Sequence, residues 1–341
     1  MWTPDSFMEH LYQSFEEKRR AQERSESTVQ TKARLRLRLT QALDVKTEKK
    51  DELRPVRIER TEFEGYTRER VEFGTVWGLR VPAYVLIPKG LTGRSAAVLA
   101  LHGHGYGSRQ IVGLDPDGSE HAGEPDLHGN YALELVKRGL VVVVPEGIGF
   151  GDRRLAADQE AGQVGNSSCQ TLASHLLLYG ISLAGLRVQE ALRALDYLIS
   201  RDEVDQDRIG CIGFSGGALI GAYASAVDER IQATVLCAFT NTFKGSIMHV
   251  RHCIDNYLPD ALDFAELPEL IGLIAPRALF IESGEQDPIF PLETVKAAIA
   301  KIQSIYGEQA IDRLGTHLFE GMHQVSGKVA YPWLVNALRF N

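Results

Sequence analysis

The sequence predicts an α/β fold: a mostly parallel central sheet with helices on both faces, and an antiparallel strand pair on its N-terminal side. Three observations predict it. Short, almost wholly apolar runs recur at 96–101, 140–144, 208–213, 233–237 and 278–281, with a weaker sixth at 314–319. Such runs suit strands buried on both faces of a parallel sheet. Helical patterns separate them, and strand–helix alternation argues for a sheet covered on both sides. Ahead of them, 70–73 and 79–87 read as two antiparallel strands joined at 74–78.

Residues 1–60 are highly charged and poor in glycine, with Phe7, Leu11 and Phe15 at helical spacing. Leu35-Arg36-Leu37-Arg38-Leu39 alternates like a strand, but its flanks are helical and the segment reads as helix. This charged helical extension is expected to pack on the core or on a partner subunit, which would make a homo-oligomer possible. The remainder, 61–341, is expected to be one domain. Leu176, Leu183, Leu186, Leu192, Leu195 and Ile199 form an apolar stripe, and 292–306 forms another. The stretches 153–174 and 240–270 fit neither period, so they are candidate loops or cap insertions over a site.

Composition narrows the function. The 341 residues are 44% hydrophobic and 24% charged, ordinary for a globular chain that buries a large core. Lys and Arg number 37 against 45 Asp and Glu, a formal charge of −8. That balance disfavours nucleic acid and anionic lipid as partners. Cys169, Cys211, Cys237 and Cys253 form no C-x-x-C pair and no metal-ligand spacing, and they read as reduced thiols. The first 20 residues carry acidic groups and no apolar run. No apolar stretch approaches the roughly 20 residues of a membrane span. A cytoplasmic protein without cofactor is expected.

One motif carries chemistry. Gly213-Phe214-Ser215-Gly216-Gly217 is a G-x-S-x-G sequence, weak alone. Here an apolar strand precedes it and a small-residue helix, 218–226, follows, which is the strand–turn–helix setting of a nucleophile elbow. Gly213 and Gly217 would let strand and helix approach closely, and the helix N-terminus would favour developing negative charge. A plain turn with a capping serine is the bland alternative.

A serine hydroxyl needs a base at neutral pH. In elbow enzymes of this type the chain order is serine, acid, histidine. His323, in Phe319-Glu320-Gly321-Met322-His323 just past the last strand, fits best. His317 lies inside that strand, where a half-buried structural role is expected, and His249 and His252 fall in the wrong order. For the acid, Asp287 stands out in Ser283-Gly284-Glu285-Gln286-Asp287-Pro288, directly after a strand. Glu285 is the alternative, and Glu282 reads as a strand-end residue.

Acyl transfer also needs N–H donors for an oxyanion. The Gly216 amide should supply one, and the His104 amide in Leu101-His102-Gly103-His104-Gly105 the second. A competing reading makes His102 and His104 metal ligands, but two histidines at i, i+2 without a nearby partner are weak evidence. The glycines of Gly147-Ile148-Gly149-Phe150-Gly151 miss the dinucleotide spacing and read as a pocket wall, with Asp152 and Arg153 or Arg154 in structural ion pairs.

On these residues, with Asp207-Arg208-Ile209-Gly210-Cys211-Ile212 before the elbow and Ala275-Pro276-Arg277-Ala278-Leu279 before the acid, the chain resembles the dienelactone-hydrolase-like and acetylxylan-esterase-like α/β hydrolases. The resemblance runs from about residue 70 to the C-terminus and is an analogy of fold. It implies the α/β-hydrolase fold and hydrolysis of a small-molecule ester through an acyl-enzyme, with Ser215, Asp287 and His323 as triad. Ester and amide substrates both stay open. A catalytically silent binding protein on this fold is disfavoured, because all three triad residues are present.

Overall fold

The structure, a computed structural model, describes residues 3–44, 51–162 and 165–339. These residues include nine strands: β1 (Val56–Glu62), β2 (Tyr66–Gly74), β3 (Arg80–Pro88), β4 (Ser95–Leu101), β5 (Val141–Pro145), β6 (Val204–Phe214), β7 (Ala233–Cys237), β8 (Ala278–Gly284) and β9 (Leu314–Phe319). They form one sheet in the order β1-β2-β3-β5-β4-β6-β7-β8-β9. The pairs from β1 to β5 are antiparallel, and those from β5 through β4 to β9 are parallel. This is the mostly parallel sheet that the apolar runs predict, in the α/β-hydrolase arrangement that the resemblance implies.

The parallel strands read as unbroken apolar runs because both faces are covered. In β4, Ala97, Leu99 and Leu101 enter one core while Ala96, Val98 and Ala100 enter the other. Val141 and Val143 of β5 divide from Val142 and Val144 in the same way. Each buried valine or leucine contributes about 1.5–3 kcal/mol, so the two cores together fix the register of the strands.

Among the described residues, eleven α-helices cover or flank the sheet: α1 (Asp5–Ser25), α2 (Thr28–Ala42), α3 (Tyr131–Val136), α4 (Ala156–Glu160), α5 (Cys169–Leu177), α6 (Leu183–Ile199), α7 (Gly216–Val227), α8 (Ala261–Phe264), α9 (Leu267–Gly272), α10 (Leu292–Ala310) and α11 (Ala330–Ala337). Helices α2, α6, α7, α9 and α10 serve the first core, and α3 and α11 the second. The stripe read across 176–199 is two helices. Gly180, at φ 68°, breaks the chain, and Ser182 caps α6 by accepting from the Gly185 N–H at 3.0 Å.

The Leu-Arg alternation at 35–39 resolves as helix. Leu35 and Leu39 are 5% and 0% exposed on one face of α2, while Leu37 stands 58% exposed on the other. Ser27 and Gln30 close a reciprocal capping box at its start. Strand β1 is absent from the sequence reading, which takes this stretch as part of the charged helical extension. Its sequence, Val-Arg-Ile-Glu-Arg-Thr-Glu, is exposed almost throughout on the sheet edge, so no apolar face marks it. Charged side chains on an edge strand also discourage pairing with another chain. Among the described residues, no helix is long and apolar enough to cross a membrane.

Candidate active site

The carboxyl ends of β4, β6, β8 and β9 converge, and each delivers one element of the site. At the end of β6 the chain turns directly into α7. Ser215, at the turn, has φ 53° and ψ −121°, a conformation that costs a non-glycine residue on the order of 1–3 kcal/mol. Packing holds it there. The Ser215 N–H donates to the Cys237 carbonyl at 2.9 Å. A Cβ on Gly213 would lie 2.4 Å from the Gly217 carbonyl oxygen, and one on Gly217 would lie 1.9 Å from that of Leu101. No side chain fits at either position.

The residues that follow β8 and β9 meet this turn. His323 Nε2 lies 3.0 Å from Ser215 Oγ, and His323 Nδ1 lies 2.7 Å from Asp287 Oδ2. The Asp287 side chain is fully buried, and its Oδ1 accepts from the N–H groups of Ile289 at 2.8 Å and Phe290 at 3.2 Å. A carboxylate so held has one oxygen left for the imidazole. Two phenylalanines flank the ring: Phe290 stacks on it at 5.7 Å and Phe214 lies 4.8 Å away, tilted. Gly284 keeps the loops together, since a Cβ there would sit 2.2 Å from the Met322 carbonyl oxygen.

The rivals occupy other places. His317 sits in β9 with Nδ1 3.2 Å from Glu282 Oε2. Glu282 is buried, and its Oε1 accepts from the N–H groups of Ser326 and Gly327 at 2.9 and 3.0 Å. It therefore ties down the segment just after His323. Glu285 and His249 are exposed, and His252 Nε2 lies 2.9 Å from Ser246 Oγ.

His104 and Gly216 are neighbours, since a Cβ on Gly216 would lie 3.1 Å from His104 Nδ1. The Gly216 amide opens α7, where the first N–H groups have no partner within the helix. His102 is buried, which lowers its pKa and keeps the ring neutral. Its Nε2 accepts from the Gly147 N–H at 3.0 Å, so Nδ1 carries the proton and donates to the Gly103 carbonyl at 2.9 Å. With both nitrogens engaged, His102 is not a metal ligand beside His104. Buried Glu146 accepts from the Ser108 N–H at 2.9 Å and hydroxyl at 2.7 Å. In the wall beyond it, Asp152 pairs with Arg109 and Arg70, and Arg153 with Glu190 at 2.6 Å.

One group of residues escaped the sequence reading. His104 Nε2 lies 3.2 Å from Asp255 Oδ2, which also takes the guanidinium of Arg187. Cys169 and Cys253 join them. No linear pattern signals this group, because its members come from 104, 169, 187 and 253–255. A cavity of about 40 Å³ lined by His102, His104, Glu146, Arg187, Gly216 and Asp255 lies alongside, and Ser215 is not among its lining residues.

The sequence matches the Abhydrolase family over residues 16–305. It is 31% identical over 238 residues to a Bacillus subtilis (strain 168) protein named "Putative hydrolase YtaP", covering 67% of this chain and 73% of that one. Among solved structures, a "putative acetyl xylan esterase" from Bacteroides fragilis NCTC 9343 superposes with a TM-score of 0.76 at 19% identity, over 92% of this chain and 89% of that one. Acetyl Xylan Esterase 1 from Thermoanaerobacterium sp. JW/SL YS485 gives 0.56 at 17%, over 90% and 93%. At these identities the structural likeness is one of fold.

Proposed function

The chain belongs to the Abhydrolase family of α/β hydrolases, and from that premise we propose that it is a serine carboxylesterase acting on small acyl esters. The observation that carries the reading is the unbroken relay from Asp287 Oδ2 through the His323 ring to Ser215 Oγ, at 2.7 and 3.0 Å. Fold neighbours named acetyl xylan esterases make acetyl the first acyl group to test.

In this mechanism His323 Nε2 takes the Ser215 proton as Oγ attacks the ester carbonyl. Asp287 holds the proton on Nδ1 and stabilises the imidazolium. The Gly216 and His104 amides donate to the oxyanion, which a site with preformed donors stabilises more strongly than water does. The tetrahedral intermediate collapses, and the alcohol leaves with the proton from His323. Water, deprotonated by the same ring, then attacks the acyl-enzyme. The acid departs and Ser215 recovers its proton.

The test is hydrolysis of p-nitrophenyl esters, acetate through octanoate, by wild type and Ser215→Ala. Wild type should favour the short acyl chains, and Ser215→Ala should lose at least about 10³-fold in kcat. Turnover that survives in Ser215→Ala defeats the assignment. Wild type that cleaves anilides or peptides and no ester replaces it with an amidase on the same residues.

A further inference from the structure

Beside the catalytic loops lies a second cluster of reactive side chains that the proposed mechanism does not use. A ring nitrogen of His104, Cys169 Sγ, Cys253 Sγ and a carboxylate oxygen of Asp255 all lie within 4.8 Å of one another. Cys169 and Asp255 are buried, and His104 Nε2 is shielded from solvent without a well-directed hydrogen bond. We propose that these four side chains form a binding site for one borderline-soft divalent cation, zinc(II) foremost.

Spacing supports this. Zinc binds nitrogen and oxygen at about 2.0–2.1 Å and thiolate sulfur at about 2.3 Å, so a tetrahedron sets N and O about 3.3 Å apart and S and O about 3.6 Å apart. Here His104 Nε2 is 3.2 Å and Cys169 Sγ 3.6 Å from Asp255 Oδ2. Donor type agrees, since two thiolates, an imidazole and a carboxylate suit zinc and not magnesium or calcium.

Charge agrees as well. Two thiolates and a carboxylate around a dication leave one negative charge. Arg187 supplies the balancing positive charge, with Nη2 3.1 Å from Cys169 Sγ and Nη1 on Asp255 Oδ2. The guanidinium is fixed in turn by the Ile148 carbonyl, at 2.7 Å from Nη2, and by the ring of Phe150. Metal entry would release the ligand protons.

Four protein ligands leave no open coordination position, so the ion would be structural. It would join the loop after β4, the first turn of α5 and the turn at 253–255. The inference stands independently of Ser215 chemistry.

The experiment uses the full chain, purified in reductant, stripped with a chelator that is then removed, and titrated with Co²⁺. A thiolate-to-cobalt charge-transfer band should saturate at one equivalent and bleach when Zn²⁺ displaces it, with protons released on binding. Ser215→Ala should bind alike. Cys253→Ser should bind at least about 100-fold more weakly, and Arg187→Gln about 10–100-fold. Absence of a saturable band in the folded wild type overturns the proposal, whatever the variants do. So does a Cys169–Cys253 disulfide that persists in reductant, seen as a loss of two hydrogens in mass, which would make the pair a redox element instead.

Discussion

Glu282 Oε1 accepts a hydrogen bond from the Ser326 N–H at 2.9 Å, anchoring the backbone three residues beyond His323 to a buried carboxylate on β8. The same oxygen accepts from Gly327 at 3.0 Å. Glu282 thus acts on the imidazole through the chain that carries it. Glu282→Gln should fold, keep KM within about twofold and lower kcat about 10-fold, since small misplacement of a reacting group is costly. Glu282→Ala, which orphans the buried Gly327 N–H and the half-buried Ser326 N–H, should lose about 2–4 kcal/mol in urea unfolding. An unchanged kcat in Glu282→Gln removes the positioning role.

Asp287→Asn should leave the fold intact and reduce kcat by about 10⁴-fold. The asparagine oxygen would replace Oδ1 as acceptor for Ile289 and Phe290, turning its NH₂ toward His323 Nδ1. That nitrogen would then have to accept, placing the ring proton on Nε2 against Ser215. Steady-state kinetics with a matched thermal melt separates this loss from unfolding.

Gly217→Ala tests the close approach at the elbow. Its new Cβ would run into the backbone at the end of β4, with the Leu101 oxygen at 1.9 Å and the His102 oxygen at 2.6 Å. The variant should lose more than about 3 kcal/mol, or fail to accumulate as soluble protein. Gly307→Ala is the control for space: φ is 61° and ψ −179° there but no atom lies within 4 Å, so only the backbone strain of a glycine-favouring conformation, about 1–3 kcal/mol, is expected.

Leu39→Ala should cost about 2–5 kcal/mol, because Leu39 is fully buried in the first core. Leu37→Ala, two residues away and exposed, should stay within about 0.5 kcal/mol. Equal effects of the two would mean that α2 is not part of the cooperative unit.

Asp126 offers a test by pH. Burial alone would raise its pKa, but hydrogen bonds with His128 and Gln110 bring it down to about 2. A carboxyl depressed on folding stabilises the protein above its unfolded pKa, about 3.9, and loses that contribution as pH falls toward the folded value. The melting-temperature gap between wild type and Asp126→Asn should therefore be widest above pH 4 and narrow as pH falls toward 2. A constant gap sinks the assignment.

The sheet was legible wherever both of its faces are buried. Val141 to Val144 and 233–237 announce themselves as apolar runs, and Ser215 is marked by its place between such a run and a small-residue helix. Chain order then pointed to Asp287 and His323, which lie together in space. Strand β1 was illegible because edge exposure leaves it a charged sequence, and α3 and α11 because six and eight residues hold too few turns to establish a period. Arg187 was hidden for another reason. It is one of several charged residues on α6, and the Asp255 and Cys169 that explain its burial lie 68 and 18 residues away.

Gly284 has a practical consequence for anyone wishing to redirect this scaffold. Because the end of β8 and the backbone at 321–322 rest directly on each other, the acid and the imidazole move as one rigid part. Mutational libraries at 213, 217 and 284 would mostly sample failures of assembly. Among the described residues the segments 153–174 and 240–270 carry no strand of the sheet, but buried Phe243, Phe264 and Leu267 tie the second into the first core, so diversity there belongs at its exposed positions, such as Lys244 and Met248.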